Sequence, residues 1–384
     1  MSKSSLFPAF PASQDINRHI LLRLFHNTTT SYKYVFFMAM LKILTNTRFS
    51  QAHLQVKDIV AQMLTIAYYP YRYFKLSFGL VDSIGLKLDK IEQRWHASFA
   101  HDNPFLFSSQ EANLVRLFLL DDEILDQTVR YVPYRLLSPF FSQFLGGIPD
   151  SKRNGLIEQF ASEKFDEIRP LYRINADHEE IIMHPAWMEY LQAHSALIWS
   201  FVKWEWLCYM QKRNPSVPNI HAKLFPESKK PSMSHQTAFW RRVLEQERFT
   251  CIYSGKELRP YDISLDHFIP WTFVAHNQLW NLIPTLAHVN SSKSYKLPSL
   301  HRYFDSYVEM QHRGLTIFQR TVDQLSWKKT IEPYQLDLRI SADELLDRDL
   351  FRKKIRSTIY PLASIAENTG FTPDWEYTPV GSMS

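Results

Sequence analysis

Apolar residues crowd every side of residues 31–44 (SYKYVFFMAMLKIL), a pattern that predicts a buried helix begun by a Ser or Thr cap. Residues 54–68 space Val56, Ile59, Val60, Met63 and Leu64 at i, i+3 and i+4, which predicts a second helix. The run YYPYRYFKLSFG that follows is aromatic and interrupted by Pro70, so it reads as a packed connection. Further helices are expected at 113–120 and 151–165. Residues 171–174 and 180–183 flank a polar NADHE segment and predict a β-hairpin. Pro185 then opens one long helix over 186–212, stopped by Asn214-Pro215, with Trp187, Trp199, Trp204 and Trp206 read as core.

Beyond it the pattern changes. Residues 216–234 (SVPNIHAKLFPESKKPSMS) are rich in Pro, Ser and Lys and read as a linker between a mostly helical domain, 1–215, and a second domain, 235–384. A short helix over 235–248 leads to a strand at 249–253, which turns at Ser254-Gly255. Residues 263–269 (ISLDHFI) alternate like a strand and stop at Pro270. A second extended run covers 281–285, and 286–295 can form a helix ended before Leu297-Pro298. Helices over 299–325 and 341–359 close the chain, and the tail from Asn368 reads as frayed. The fold class expected is α+β.

Composition narrows the classes. A chain of 384 residues with 45% hydrophobic and 15% aromatic content is globular, and long enough for two or three domains. Two cysteines, Cys208 and Cys251, make neither a disulfide framework nor a Cys-x-x-Cys zinc pair. No apolar run approaches the roughly 20 residues of a membrane span, and the start, MSKSSLFPAFPASQD, has no signal-peptide core. A cytoplasmic protein is expected. Between Asn219 and Phe304 eleven Lys and Arg face six Asp and Glu, so that stretch carries the whole net charge of +5. A polyanion would favour such a distribution. Lys229, Arg241, Arg242, His276 and Lys296 are the candidate contacts for it.

The chemistry sits in residues 249–298. Asp266 and His267 are neighbours on a strand, so their side chains point to opposite faces, one toward a metal and one toward an attacking water. Asn290, on the helix, can reach back toward Asp266. A hard cation such as Mg2+ takes few protein oxygens, with water and phosphate completing its shell, and Asp266 and Asn290 suit such a site.

These residues resemble the HNH (ββα-metal) endonucleases, in the DH…N…N variant also found in RNA-guided CRISPR nucleases. The likeness rests on Asp266-His267, Ile269-Pro270, the block Trp280 to Leu282 with its Asn281, and the run Asn290 to Ser294. It covers about 50 residues. The resemblance implies that His267 is the general base and that Asp266 and Asn290 hold one divalent ion, Mg2+ or Mn2+. It further implies that Asn281 orients the His-bearing loop and that Lys293 pairs with a phosphate. Many members carry two Cys-x-x-Cys pairs around a structural zinc. Here only Cys251 remains, with Ser254 at the second position, so no zinc is expected and packing by Phe268, Trp271, Phe273 and Trp280 must replace it.

The expected activity is hydrolysis of DNA, nicking one strand per active site, with RNA as a further candidate substrate. The architecture is similar to that of bacterial restriction or anti-phage defence proteins, Zorya-type effectors among them. By that analogy the N-terminal half would restrain or target the nuclease, or dock other proteins of such a system. Two other readings stand beside it: a non-catalytic nucleic-acid-binding module, and a partner-docking protein with a vestigial HNH fold.

Overall fold

The computed structural model describes residues 10–379 apart from 27, 96–106, 121–122, 124–127, 129–130 and 227–230. The chain divides into two units, Met1–Pro215 and Ser216–Ser384.

In the first unit α1 (His19–Arg23) precedes α2 (Tyr32–Asn46), the central helix, in which every residue from Tyr34 to Leu41 is buried. Ser31 sits at its N-cap position, but its hydroxyl caps nothing. Instead the Ser31 amide donates to Asp82 Oδ2 at 2.6 Å, so the start of α2 is fixed from a distant segment. β1 (His53–Gln55) and α3 (Val56–Arg72) occupy the region expected to be one helix. Pro70 lies inside α3, two residues before its end, rather than ending it. Then come α4 (Ile84–Trp95), α5 (Phe107–Phe118), α6 (Val132–Leu137), α7 (Asp150–Glu163) and α8 (Phe165–Ile168).

β2 (Tyr172–Ile174) and β3 (Glu180–Met183) form the expected hairpin, and β1 pairs with the other edge of β3, giving an antiparallel sheet in the order β1-β3-β2. The long helix is two, α9 (Pro185–Ala193) and α10 (Ser195–Arg213), broken at His194. Pro185 opens α9, and His184 caps it by accepting from the Ala186 amide. Trp187 and Trp206 are core, Trp199 is half-buried, and Trp204 lies 48% exposed.

The second unit begins within the expected linker. Its Pro and Ser content hides three buried residues, Val217 and, four apart on a short helix, Ile220 and Leu224. α11 (Ile220–Leu224) and α12 (Ser234–Gln246) lead to β4 (Ser264–His267), α13 (Trp271–Val274), β5 (Leu282–Thr285) and α14 (Ala287–Lys293). β4 and β5 pair antiparallel with Asp266 opposite Ile283 and His267 opposite Leu282. Strand, loop, strand and helix thus follow in the order expected. Residues 249–258 form a turn with one bridge, Thr250 to Glu257, around Gly255 at φ 70°, rather than a named strand.

Three helices back this core: α15 (Leu300–Thr321), α16 (Gln324–Leu338) and α17 (Arg348–Asn368). Asp323 caps α16, so the helix expected over 299–325 ends four residues sooner and a separate one follows. α17 begins at the Asp347 cap and runs nine residues past the expected end. Gly314 on α15 lets Trp240 close in, since a Cβ there would stand 2.9 Å from the indole. The tail is not frayed as far as it is described: Phe371 and Trp375 are buried, and the Trp375 and Leu297 backbones bond.

Candidate active site

β4 does not alternate in burial as the sequence pattern suggests, since Leu265 and Asp266 are both buried between half-buried Ser264 and His267. Asp266 faces inward, 1% exposed, while His267 at the strand end is half-buried. Asp266 Oδ2 accepts from the Tyr253 hydroxyl at 2.6 Å and Oδ1 from Lys293 Nζ at 3.0 Å. Lys293 Nζ also donates to the His267 carbonyl at 2.6 Å. Burial pushes the Asp266 carboxyl up and the Lys293 ammonium down, and each charge offsets part of the other's shift. Tyr253 stays protonated, its phenol pushed far up by burial and by Asp266.

Lys293, expected to pair with a phosphate, has its contacts here to the protein. It is 0% exposed, and its ammonium bonds Asp266 and the His267 carbonyl. Its charge and that of Asp266 cancel, so neither adds to the basic surface counted from the sequence.

Asn281 ends a short 3-10 turn and is fully buried. Its Oδ1 accepts from the Ile269 amide and its Nδ2 donates to the Ile269 carbonyl, both at 2.8 Å, while its own carbonyl accepts from the Phe268 amide. Three hydrogen bonds therefore clamp the two residues after His267. The C-terminal helices hold the clamp: Gln311 donates to the Leu279 and Leu282 carbonyls, Tyr307 to that of Trp280, and Trp280 Nε1 to Asp337.

Asn290 donates to Ser264 Oγ at 2.8 Å and to the Leu265 carbonyl at 3.1 Å, which pins α14 to β4. Its Oδ1 accepts no hydrogen bond among the described residues. A hard divalent cation takes oxygen ligands; the Asn290 amide oxygen is one, whereas both Asp266 oxygens are held by Tyr253 and Lys293, and a cation bound there would have to displace one of those donors. No three His, Cys, Asp or Glu side chains cluster as metal ligands among the described residues, so water and substrate oxygens would make up most of the shell.

Two residues escaped sequence reasoning, Tyr253 and Asn277. Asn277 Nδ2 donates to the Pro231 carbonyl at 3.3 Å, which turns its Oδ1 toward His267 Nε2 at 2.9 Å. An oxygen there requires the proton on Nε2 and so puts the basic lone pair on Nδ1. Gln236 holds the Asn277 carbonyl at 2.8 Å, while Asn219 and Lys223 hold the carbonyls of Val274 and Phe273. The segment expected to be a loose linker thus pins the loop behind the histidine.

The outer candidates fare unevenly. His276, expected as a phosphate contact, turns inward. It packs on Trp280 and accepts from the Gln278 amide, and burial lowers its pKa to about 4, leaving it neutral. Arg241 and Arg242 are exposed on α12, with Arg241 over the Tyr261 ring, and Lys296 is half-exposed. Lys229 lies outside the described residues. His288 packs against Tyr377. Cys251 is buried 3.1 Å from the Thr285 hydroxyl. Of the four packing residues, Phe268, Phe273 and Trp280 are buried and Trp271 is half-buried.

Residues 251–299, which hold Tyr253, Asp266, His267, Asn277, Asn281, Asn290 and Lys293, match the family model of the HNH endonucleases. An HNH endonuclease domain therefore lies in the second unit, which points to a nuclease acting on nucleic acid. Comparison with curated proteins and with solved structures gives no match. No helix among the described residues is long and apolar enough to cross a membrane.

Proposed function

We propose that the protein is a divalent-metal-dependent endonuclease that cuts DNA one strand per active site, with His267 as general base. The observation that carries this reading is the bond from His267 to Asn277, which holds one tautomer at a half-buried strand end beside a buried carboxylate. Water attacks phosphorus as its proton passes to His267 Nδ1. The bond from phosphorus to the leaving oxygen breaks, and that oxygen takes a proton from solvent. A divalent ion held by Asp266 and Asn290, Mg2+ or Mn2+, would offset the charge developing on the phosphate and the leaving oxygen. Asn281 positions the histidine through residues 268 and 269 and touches no substrate. An HNH domain behind an unrelated unit further supports, by analogy alone, a role in bacterial defence against phage or foreign DNA.

Supercoiled plasmid incubated with the purified protein and Mg2+ or Mn2+, against EDTA, tests the activity. Open circles should form only with metal, and His267→Ala should slow nicking about 10²–10⁴-fold while plasmid binding persists. Asn290→Ala should shift the Mn2+ dependence of nicking to higher concentration, and an unchanged curve would move the metal elsewhere. A gel shift without cutting would make the protein a binding module, and neither result a docking protein.

A further inference from the structure

α13 ends at Val274, and Ala275 turns the chain at φ 52°, a left-handed conformation that a Cβ disfavours. Residues 275–278 belong to no helix or strand, yet they carry Asn277, whose Oδ1 meets the His267 ring at 2.9 Å. Strain of this kind lasts only where the surroundings hold it. Here the hold comes from a stretch earlier in the chain. Asn219 Nδ2 donates to the Val274 carbonyl at 2.7 Å, and Lys223 Nζ to that of Phe273. Gln236 Nε2 donates to the Asn277 carbonyl at 2.8 Å, and the Pro231 carbonyl accepts from Asn277 Nδ2 at 3.3 Å.

Asn219 and Lys223 fill carbonyls that the last turn of a helix cannot satisfy itself. Asn219 does so from a left-handed backbone of its own, φ 51°, which asparagine tolerates. The other two bonds act on Asn277 directly. A carbonyl can only accept, so Pro231 takes the Nδ2 end of the amide and leaves the Oδ1 end to His267. Gln236 fixes the backbone that carries this amide. If that backbone slides, the bond to Nε2 lengthens. If the amide turns, its NH2 group faces the ring and calls for the other tautomer. Asn219 and Gln236 both precede residues 251–299, so the match to the HNH endonucleases does not reach them. Only the folded structure ties them to the histidine.

We propose that Asn219 and Gln236 are positioning residues for His267, acting through the turn at 275–278 and the amide of Asn277. Asn219 holds the end of α13, from which the turn departs, and Gln236 holds the residue on which the turn converges. Both act through another residue rather than on the reacting atoms. A displacement of about 1 Å near reacting groups can cost about 10²-fold in rate, so a small loss of aim has a readable effect. This role rests on the reading of His267 as general base, and the ring itself offers a readout that does not depend on cutting.

Gln236→Met and Asn219→Gly in the full-length protein test it. The first keeps the side chain's length and the second the left-handed backbone, while each drops its donor. Nicking of supercoiled plasmid with Mn2+ should lose about three- to tenfold in kcat with KM little changed. In an Asn277→Ala background neither substitution should lower kcat further, since all three act on one bond. Selective 15N labelling of histidine, with His267→Ala to assign the signal, reads the ring by NMR. At alkaline pH the wild type should carry the proton on Nε2, and both variants should show a mixture of tautomers. Either variant serves alone if the other fails to fold. A wild-type ring signal in the folded variants overturns the proposal, and so does a loss of kcat that adds in full to that of Asn277→Ala. Mixed tautomers in the variants, together with nicking that His267→Ala leaves unchanged, would keep the positioning role and sink the general base instead.

Discussion

Two regions handle buried charge in opposite ways. Around β4 the charges close on themselves, with Lys293 and Asp266 both at most 1% exposed and 3.0 Å apart, and Tyr253 filling the other carboxylate oxygen. In the first unit, Lys33 reaches a carbonyl, that of Leu24 at 3.3 Å, where Lys293 reaches a carboxylate. A closed pair fixes geometry, since neither partner can leave without stranding the other. A lysine held by a carbonyl alone carries its burial cost without a counter-charge to offset it. Position within the chain says nothing of which is which, because partners do.

The largest effect should come from opening the closed pair. Lys293→Met leaves Asp266 charged and buried, and should cost about 3–5 kcal/mol of unfolding free energy in denaturant titration. Adding Asp266→Leu should recover much of that stability, although not activity. Lys33→Met removes a cation without a carboxylate and should cost far less. Equal losses at the two lysines would erase the distinction between the regions.

The next prediction concerns Asn277, whose effect belongs to kinetics rather than stability. Asn277→Ala frees the tautomer of His267 and should lower kcat about tenfold with KM little changed, as for loss of one positioning contact near the reacting groups. Asn277→Asp keeps an oxygen toward Nε2, so it should restore part of kcat and also move the pH profile of nicking. A purely structural residue would show neither the split between kcat and KM nor the moved profile.

Much of the nuclease segment was legible because its signals are local. ISLDHFI alternates and stops at a proline, and the result is β4 with Asp266 in and His267 at the edge. Asn281 and Asn290 were placed by motif, and both hydrogen-bond to the His-bearing strand or the turn after it. What was not legible depends on partners far away. Tyr253 meets Asp266 across a turn, and Asn277 reads as one more polar loop residue until Pro231 turns its amide. Lys293 looked like a phosphate ligand because its helix face could not be told from sequence. β1 is three residues long and has no period of its own, so only β3 beside it makes it a strand.

Lys223 carries the comparison into the second unit, where it behaves like Lys33. It is fully buried against the Phe273 ring and carbonyl, and burial lowers its pKa from 10.5 to about 7. Below about pH 7 the ammonium is charged in both states, so the folded protein carries the cost of burying it. Between about pH 7 and 10.5 the unfolded chain binds the extra proton, and stability must rise with pH. Above that range the amine is neutral in both states and the cost is gone. The slope from this one group is at most about 1.4 kcal/mol per pH unit, less for incomplete burial and relaxation. Wild-type protein and Lys223→Met unfolded in urea at pH 6, 7, 8 and 9 isolate it, since other groups titrate alike in both. The wild type should gain stability relative to the variant from pH 7 to 9 and hold a constant difference from pH 6 to 7. A constant difference across the whole range would mean that Lys223 keeps its ordinary pKa, held by some counter-charge, and that it belongs with Lys293 instead.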